Sequence, residues 1–448
     1  MSGFSDFNLT AGLQNALNDL GFSTPTPIQK EAFSVICSGR DVMGIAQTGT
    51  GKTLAYLIPV LKMYQFTRSL NPKILILVPT RELVVQVLGE VEKLTKYMSI
   101  KSLGIFGGVN INTQKTAIYE GVDIVVGTPG RVMDLALDGV LRLDEVNKLI
   151  IDEFDELLNL GFKPQLTSIF SMMKRKRQNI LFSATMTDDV DDMLEDYFDY
   201  PEEVSLAPSG TPIELITQLV YDLPNFNTKL NLLKYLLQKE EFERYLIFVN
   251  NKRMADLVYD KLAEDFEAEI EIIHSNKTQN YRLNAIRAFQ ESEVKGLITT
   301  DVMARGLDIS NISQVINFEF PEQPETYIHR IGRTGRAGMG GTAISFCGPK
   351  DQNARLDVEI LMNREIEVCE IPEDVQISKV LNAWEKEQKF KKEISRAAKK
   401  PKGEAFQEKA AKNKKVNLGG PSKTKKKTHG SVNRNLLKTQ AQKKKKKS

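Results

Sequence analysis

The sequence has few cysteines and no long apolar run. Its three cysteines, Cys37, Cys347 and Cys369, are odd in number and lack metal-site spacing, so we expect neither disulfides nor a zinc centre, and a reducing compartment. The longest apolar run, Leu54 to Leu61, contains Pro59 and is far shorter than the roughly 20 residues that span a bilayer. No basic segment precedes an apolar one at the start, so no secretory signal is recognised. We expect a soluble cytoplasmic protein, with a nuclear or nucleolar location left open.

The charge of the sequence is unevenly distributed. The net charge is only +3, yet residues 385–448 contain 23 Lys and Arg against 5 Asp and Glu, whereas the rest contains 38 against 53. The body is therefore acidic, and affinity for a polyanion must come from local patches or from the basic C-terminal segment. Because residues 376–448 contain few large apolar side chains, we predict a largely disordered tail with a helix around 378–396.

The octet AQTGTGKT is the clearest candidate site. An apolar run typical of a buried strand leads into it at 42–46, and an apolar helical pattern follows from Lys52. Glycines between them let backbone N–H groups turn towards the phosphates of a nucleoside triphosphate, Lys52 reaches the β- and γ-phosphates, and Thr53 offers a hydroxyl to Mg²⁺. The usual pattern begins with Gly rather than Ala46, so a chance glycine-rich turn is the alternative. The loop residues are Ala46, Gln47, Thr48, Gly49, Thr50, Gly51, Lys52 and Thr53.

Two series of apolar β-rich runs alternate with helical stretches and predict an α/β protein with two parallel sheets, each covered on both faces. The first series lies at 42–46, 74–78, 124–127, 149–151 and 179–182, and the second at 245–249, 270–273, 297–299, 315–318 and 342–346. We predict an N-terminal domain at 1–207, a linker at 208–216 and a second domain at 217–375. Polar clusters directly follow the strands, at the sheet edge where ligands bind in such folds.

Three groups of polar residues suggest chemistry on a nucleotide. Asp152 and Glu153 follow a buried strand, where a carboxylate can hold Mg²⁺ and its neighbour can orient water; two solvated acids at a helix start are the alternative. Arg333 and Arg336 have the spacing to meet γ-phosphate charge from the second domain, although such arginines are usually a solvated face. Gln29, after a turn fixed by two prolines, can read adenine with an upstream aromatic such as Phe4, or be a surface glutamine beside a packed phenylalanine.

Taken in order, these motifs resemble the DEAD-box family of ATP-dependent RNA helicases in superfamily 2. The resemblance covers residues 4 to about 346 and implies two tandem RecA-like domains, RNA-stimulated ATP hydrolysis with Mg²⁺, and local unwinding of RNA held by its backbone. The motifs are Phe4 with GFSTPTPIQ, AQTGTGKT, PTRELVVQ, Gly107-Gly108, TPGR, DEFD, SAT, LIFVN, HSNKTQNYR, TTDVMARGLD and YIHRIGRTGR.

The resemblance also implies a role for each matching residue. The expected catalytic residues are Lys52, Asp152 (through metal-bound water), Glu153 (the base that orients water), Arg333 and Arg336 (the finger). Further nucleotide contacts are Phe4, Phe22, Gln29, Gly306 and Asp308. Coupling of hydrolysis to domain closure is assigned to Asp155, Ser183, Thr185 and His329. Contacts to the RNA backbone are assigned to Arg81, Gly108, Thr128, Arg131, Asn250, Arg282 and Thr300.

Three departures from the family pattern leave alternatives open. Phe154 replaces the alanine of the pattern and adds bulk beside two carboxylates, Ser275 replaces a glycine, and Met303 replaces a small residue. An ATP-gated RNA clamp or ribonucleoprotein-remodelling scaffold with slow turnover is the second hypothesis, and action on DNA the third. The expected partner is single-stranded RNA or a short duplex, with ribosomal or other ribonucleoprotein complexes as candidates for the tail, and the protein is expected to be a monomer.

Overall fold

Two parallel seven-stranded sheets, each in a RecA-like domain, form the described part of the chain. The computed structural model describes residues 3–46, 50–205, 216–266, 268–301, 312–335 and 340–386. Every strand pairing recorded in these ranges is parallel. The predicted α/β class with two parallel sheets is therefore confirmed.

The first domain begins with a 3₁₀ turn at Phe4–Phe7 and contains helices on both faces of its sheet. Its helices are α1 (Ala11–Asp19), α2 (Pro27–Cys37), α3 (Lys52–Lys62), α4 (Arg81–Leu94), α5 (Ile111–Tyr119), α6 (Pro129–Leu137), α7 (Phe154–Asn159), α8 (Lys163–Met172) and α9 (Asp188–Tyr197). Its strands are β1 (Val42–Ile45), β2 (Ile74–Leu77), β3 (Ser102–Ile105), β4 (Ile124–Gly127), β5 (Lys148–Ile151), β6 (Gln178–Ser183) and β7 (Glu202–Ser205).

The second domain repeats this plan. Its described helices are α10 (Phe226–Leu237), α11 (Lys252–Phe266), α12 (Gln279–Gln290), α13 (Pro324–Ile331) and α14 (Gln352–Met362). Its strands are β8 (Ile216–Asp222), β9 (Tyr245–Val249), β10 (Ile270–Ile273), β11 (Gly296–Thr300), β12 (Gln314–Asn317), β13 (Gly341–Cys347) and β14 (Glu367–Cys369).

The two sheets have the same strand order. The first runs β3-β4-β2-β5-β6-β1-β7 and the second β10-β11-β9-β12-β13-β8-β14. Each strand of the second sheet thus occupies the position of the first-sheet strand whose number is lower by seven. Central strands such as β2 and β4 are buried along their whole length, because helices cover both faces of the sheet. All carboxyl ends in one sheet lie at the same edge, which gathers the residues that follow the strands into one place.

Apolar side chains pack on both faces of each sheet. In the first domain, Phe7, Ile28 and Val60 belong to a core on one face, and Phe154 and Leu166 belong to a core on the other. Fully burying one such side chain stabilises the fold by about 1.5–3 kcal/mol, so these cores fix the strand ends on which the site is built.

Four strands were not predicted from the sequence, and all four are less apolar than the central strands. β3 and β14 lie at sheet edges and are mostly half-buried or exposed, β7 buries only Val204, and β8 alternates buried with exposed residues. β8 begins at Ile216, one residue before the predicted start of the second domain. Most of the predicted linker lies outside the described residues.

The predicted start of the tail at residue 376 needs correction, because residues 376–386 pack along α10. Asn225 Nδ2 donates to the Ser378 carbonyl at 2.6 Å, and the Phe226 N–H donates to the Glu385 carboxylate at 2.7 Å. The Trp384 ring meets the Phe226 ring edge-on with centroids 5.7 Å apart. Within the predicted helix at 378–396, only 383–386 is helical among the described residues, and 387–448 lies outside them.

No described helix is long and apolar enough to cross a membrane. The three cysteines form no disulfide: Cys347 is buried, and Cys37 and Cys369 are half-buried. The described residues contain no cluster of three or more His, Cys, Asp or Glu side chains that could hold a metal ion by itself.

Candidate nucleotide and RNA site

The end of the phosphate loop is tied to the start of α2. Thr26 and Gln29 form a capping box, in which Gln29 Oε1 accepts from the Thr26 N–H at 2.9 Å. Gln29 Nε2 donates to the Gly51 carbonyl at 3.1 Å, and Thr26 Oγ1 donates to the Thr50 carbonyl at 2.9 Å. Gly51 has φ +88°, and a Cβ there would lie 2.6 Å from Gln29 Nε2. Glycine is therefore required where the loop enters α3.

Lys52 and Asp152 are both buried and interact electrostatically. Lys52 is 7% exposed, and its Nζ has no hydrogen-bond partner among the described residues. Asp152 is 3% exposed, and its Oδ2 accepts from the Tyr56 hydroxyl at 3.0 Å. Burial raises the pKa of Asp152, and the positive charge of Lys52 offsets part of that rise. The pair leaves a buried cation and a carboxylate with spare acceptor positions on the loop side of the sheet.

Glu153 has an unusual backbone conformation for a glutamate. Its φ of 50° and ψ of 52° are left-handed, and it is the N-cap of α7. Burial raises the pKa of Glu153, and the charges of Lys52 and Arg333 offset part of the rise. Left-handed non-glycine residues are uncommon and concentrate at functional sites. The conformation turns the chain between Asp152, which follows β5, and α7.

Asp155, Ser183 and Thr185 form a buried hydrogen-bonded group. Asp155 Oδ2 accepts from the Thr185 hydroxyl at 2.8 Å and from its N–H at 3.1 Å. Ser183 Oγ donates to the Thr185 carbonyl at 2.8 Å. His329 Nε2 of the second domain lies 3.8 Å from Asp155 Oδ2. Although burial alone would raise it, the pKa of Asp155 is lowered by His329, by Lys52 and by the hydrogen bonds.

Some predicted nucleotide contacts lie outside the described residues, namely Gln47, Thr48, Gly49, Gly306, Asp308 and Arg336. Arg333 is described and is 3% exposed, and its Nε donates to the His329 carbonyl at 3.4 Å. The charge of Arg333 offsets part of the rise in the pKa of Glu153, so the two groups interact electrostatically.

Arg81 and Arg131 both contact the segment after β3. A Cβ on Gly108, which has φ +83°, would lie 2.1 Å from Arg81 Nη1, so the guanidinium packs directly on the glycine backbone. Arg131 Nη1 donates to the Val109 carbonyl at 3.4 Å and to Gln114 Oε1 of α5 at 3.1 Å. Thr128 is the N-cap of α6. The first-domain members of the predicted RNA set therefore gather at the carboxyl ends of adjacent strands.

Arg330 was missed by the sequence analysis, yet it organises the corresponding edge of the second sheet. It is 1% exposed and donates to Asn250 Oδ1 at 2.8 Å, to Asp301 Oδ2 at 2.9 Å and to the Glu319 carbonyl at 2.7 Å. These partners follow β9, β11 and β12, so one guanidinium joins three strand ends. Thr300, at the end of β11, is half-buried beside this network. The sequence did offer one indication of its role, because Arg330 directly follows His329 in the motif YIHRIGRTGR.

Two predicted roles need correction. Phe4 is 2% exposed and meets Phe7 edge-on at 5.6 Å, so its ring offers no surface for stacking on adenine; Phe22, at 40% exposure, does. Arg282 is 7% exposed and its Nη1 lies 2.9 Å from Glu82 Oε1 of the first domain, so it contacts that domain rather than lying open to RNA. Phe154 is fully buried in the core, and its bulk is accommodated there.

Comparison with known proteins gives the family. The family model described as DEAD/DEAH box helicase matches residues 26–193, and that of the helicase conserved C-terminal domain matches residues 228–338. ATP-dependent RNA helicase RhlB of Pseudomonas putida is 38% identical over 380 residues, covering 83% of this chain and 95% of that protein. The chain belongs to the DEAD-box ATP-dependent RNA helicases. DEAD-box ATP-dependent RNA helicase CshA of Bacillus subtilis is 38% identical over 370 residues, covering 82% and 74%.

Solved structures of DEAD-box helicases share the fold. S. cerevisiae Dbp5 bound to RNA and ADP BeF3 superimposes with a TM-score of 0.76 at 30% identity, covering 88% of this chain and all of that one. Mss116p bound to single-stranded RNA and AMP-PNP gives 0.74 at 27% identity, covering 83% and 80%. This helicase is an RNA-stimulated ATPase that binds ATP and RNA, and the slow clamp that the sequence left open is not favoured.

Proposed function

We propose that this helicase holds ATP at the carboxyl edge of its first sheet and that its second domain completes the site. The observation that carries the proposal is Lys52, whose buried ammonium has no hydrogen-bond partner among the described residues. A buried ammonium that donates no hydrogen bond is unfavourable, and the β- and γ-phosphate oxygens of ATP supply acceptors for it. Gln29 fixes the loop through Gly51 and keeps one N–H and one acceptor position for adenine.

Glu153 is the proposed base for hydrolysis. Burial raises its pKa, which increases its affinity for the proton of an attacking water. Thr53 and, through water, Asp152 are the proposed Mg²⁺ ligands, because the Asp152 oxygens accept from the Tyr56 hydroxyl and the Glu153 N–H and each keeps a lone pair for a metal-bound water. When bound, Mg²⁺ neutralises phosphate charge. Arg333, together with Arg336, stabilises the charge that develops on the γ-phosphate.

Domain closure is the proposed step that couples RNA binding to hydrolysis. Asp155 joins the Ser183 and Thr185 segment to His329 of the second domain, and Glu82 joins Arg282. Asp308 and Gly306 would contact the ribose side of the nucleotide. RNA runs along both sheet edges and contacts Arg81, Gly108, Thr128, Arg131, Asn250 and Thr300 through its backbone, without reading its sequence.

The wider assignment follows from charge and fold. We assign the first domain to 1–207, the linker to 208–215, the second domain to 216–386 and a basic tail to 387–448. The tail attracts RNA or ribonucleoprotein particles through its lysines. We propose a monomer in the cytoplasm, in keeping with the bacterial relatives.

ATP turnover with and without an oligoribonucleotide tests the function. We expect RNA to accelerate multiple-turnover ATP hydrolysis in the wild type. Lys52→Ala and Glu153→Gln should each lower the RNA-stimulated rate by about 10²-fold or more. Glu195→Gln is the matched control, because Glu195 is exposed. An oligodeoxynucleotide of the same sequence should stimulate less. Turnover that is indifferent to RNA, or equal in Glu153→Gln and Glu195→Gln, would contradict the proposal.

A further inference from the structure

A cavity of about 430 Å³ lies in the first domain, away from the nucleotide site. Lys148 is the first residue of β5, and Lys73 and Lys176 lie just before β2 and β6. These three strands are neighbours in the sheet, so the cavity sits at the amino ends of the strands. The end of α3, at Met63 and Tyr64, forms another wall. Because α3 begins at the phosphate loop, its 11 residues separate the two sites by about 16 Å.

The two acids that line the cavity are already paired. Glu145 accepts from Lys73, from Asn71 at 2.7 Å and from Ser69 at 2.8 Å. These hydrogen bonds lower the pKa of Glu145 to about 2, and the one from Lys73 has the largest effect. Asp144 pairs with Arg142, which lies 3.1 Å away. The ion pairs that these two carboxylates form in the described part of the chain are thus with Lys73 and Arg142, not with the other lysines of the cavity.

Three lysines face the cavity without a carboxylate partner among the described residues. Lys148 is half-buried, and its recorded hydrogen bond goes to the neutral amide of Gln178. Burial lowers the pKa of Lys148, as expected for an ammonium that lacks a counter-charge. Lys174 and Lys176 are exposed at the rim. A concave surface with three such ammonium groups attracts anions.

Thr67 supplies a separate indication of a ligand. It lines the same cavity, and its hydroxyl oxygen is buried with no hydrogen-bond partner in the described part of the chain. Thr67 as a residue is half-buried, and because buried polar atoms are nearly always hydrogen-bonded, we expect its hydroxyl to meet a water or a ligand oxygen in the cavity. A hydroxyl donor beside ammonium donors matches the acceptor oxygens of a phosphate group.

We propose that this cavity binds a phosphate group, with Lys148, Lys174, Lys176 and Thr67 as its ligands. Phosphate is the anion that fits because its oxygens accept from several donors at once, whereas the cavity offers no planar guanidinium pair for a carboxylate. The phosphate belongs either to a small phosphorylated molecule or to a second stretch of RNA backbone. The site is independent of ATP hydrolysis, so its failure leaves the proposed function untouched.

Labelling with pyridoxal 5′-phosphate tests the site on the full chain. The ε-amine of a lysine adds to the aldehyde, water leaves to give the imine, and borohydride added to the sample reduces it to a stable amine that peptide mapping locates. ADP with beryllium fluoride blocks the nucleotide site. We expect labelling at Lys148, Lys174 or Lys176 to be about tenfold greater than with pyridoxal, which lacks the phosphate. Tail lysines in the same digest are the internal reference.

Protection distinguishes the two sources of phosphate. Loss of labelling with inorganic tripolyphosphate but not with an oligoribonucleotide supports a small phosphorylated ligand, and loss with both supports RNA backbone. Thr67→Val should reduce the phosphate-dependent labelling several-fold, whereas Thr116→Val, on the exposed face of α5, should not. Equal labelling by the two pyridoxal reagents, labelling that neither anion reduces, or equal labelling of the two threonine variants would overturn the proposal.

Discussion

Arg282 Nη1 lies 2.9 Å from Glu82 Oε1, and the two residues belong to different domains. Both side chains are almost fully buried, at 8% and 3% exposure, and Gln279 Nε2 also donates to Glu82 at 3.2 Å. When the domains separate, water can hydrate both charges. The pair therefore stabilises the closed arrangement only while each charge has its partner, and removing one partner of such a pair costs about 3–5 kcal/mol.

We predict that Arg282→Met raises the RNA concentration for half-maximal ATPase stimulation by about tenfold or more. The variant leaves Glu82 buried without its cation and so disfavours closure. The double variant Glu82→Leu/Arg282→Met should recover part of the loss, because no charge is then buried alone. Titration of RNA into an ATPase assay measures both. Arg287→Met, an exposed arginine on the same helix, is the control, and equal behaviour of the two arginine variants would disprove the coupling.

The buried carboxylates of Asp152 and Glu153 should lower the stability of the free protein at neutral pH. Glu153 has a raised pKa because burial disfavours its charge, so the folded state binds its proton more tightly than the unfolded state. The free energy of unfolding therefore falls as the pH rises from the ordinary pKa of 4.5 towards the raised pKa of the folded state. The same reasoning holds for Asp152.

We predict that Glu153→Gln abolishes RNA-stimulated hydrolysis yet raises the melting temperature at pH 7. Each kcal/mol gained shifts the melting temperature of such a domain by about 2–4 °C, which calorimetry resolves. The gain should shrink as the pH falls below 4.5, where the wild-type carboxyl is protonated in both states. Glu195→Gln should show no gain. A lower melting temperature for Glu153→Gln at pH 7 would contradict the assignment of burial as the dominant cause.

The contact between Gly108 and Arg81 predicts a sensitive position in the RNA set. Gly108→Ala forces a side chain into a left-handed backbone and places its Cβ 2.1 Å from Arg81 Nη1, so the guanidinium must move. We expect RNA affinity in the presence of an ATP analogue to fall about tenfold or more, measured by fluorescence anisotropy. Gly89→Ala, whose Cβ has open space in the middle of α4, should bind RNA normally. Normal RNA binding by Gly108→Ala would show that Arg81 does not contact the RNA.

Much of the fold was predictable because its central strands are buried on both faces. β9 and β10 match the predicted apolar runs at both ends, whereas β14, with its exposed Val368, carried no apolar signal. Edge strands form because a neighbour offers a row of N–H and C=O groups, and single-sequence patterns do not record that neighbour.

Site residues could be proposed from the sequence where they belong to motifs of fixed spacing. They could not be proposed where tertiary packing determines which groups a side chain contacts. Asp155 and Thr185 come from two different motifs, 30 residues apart, and are hydrogen-bonded; their role in coupling hydrolysis to domain closure stays a prediction. Arg330 was overlooked because an arginine in a helix usually faces solvent, and only the sheet topology reveals three strand ends around its guanidinium. Phe4 and Arg282 were misassigned because burial, which determines their contacts, is a property of the folded chain.

The basic tail should contribute RNA affinity without contributing to the second domain. Residues 387–448 contain 22 Lys and Arg against 4 Asp and Glu. Truncation after Lys386 keeps Trp384 and Glu385 in place on α10. We predict that it lowers RNA affinity and flattens the dependence of affinity on salt. The logarithmic slope should fall by about 0.7 for each phosphate of single-stranded RNA that the tail neutralises in the full-length protein.

A second truncation, after Val375, distinguishes the effect of the tail's charge from the effect of the packing of residues 376–386 on α10. It removes the Glu385 carboxylate that caps the Phe226 N–H, and the Trp384 ring that packs on Phe226. Loss of a cap alone costs about 0.5–2 kcal/mol, so we expect the second domain to melt several degrees lower than in the truncation after Lys386. Anisotropy at several salt concentrations and calorimetry on both truncations measure the two effects. If the truncation after Lys386 binds RNA with the full-length salt slope, the lysines of the tail do not contact phosphates.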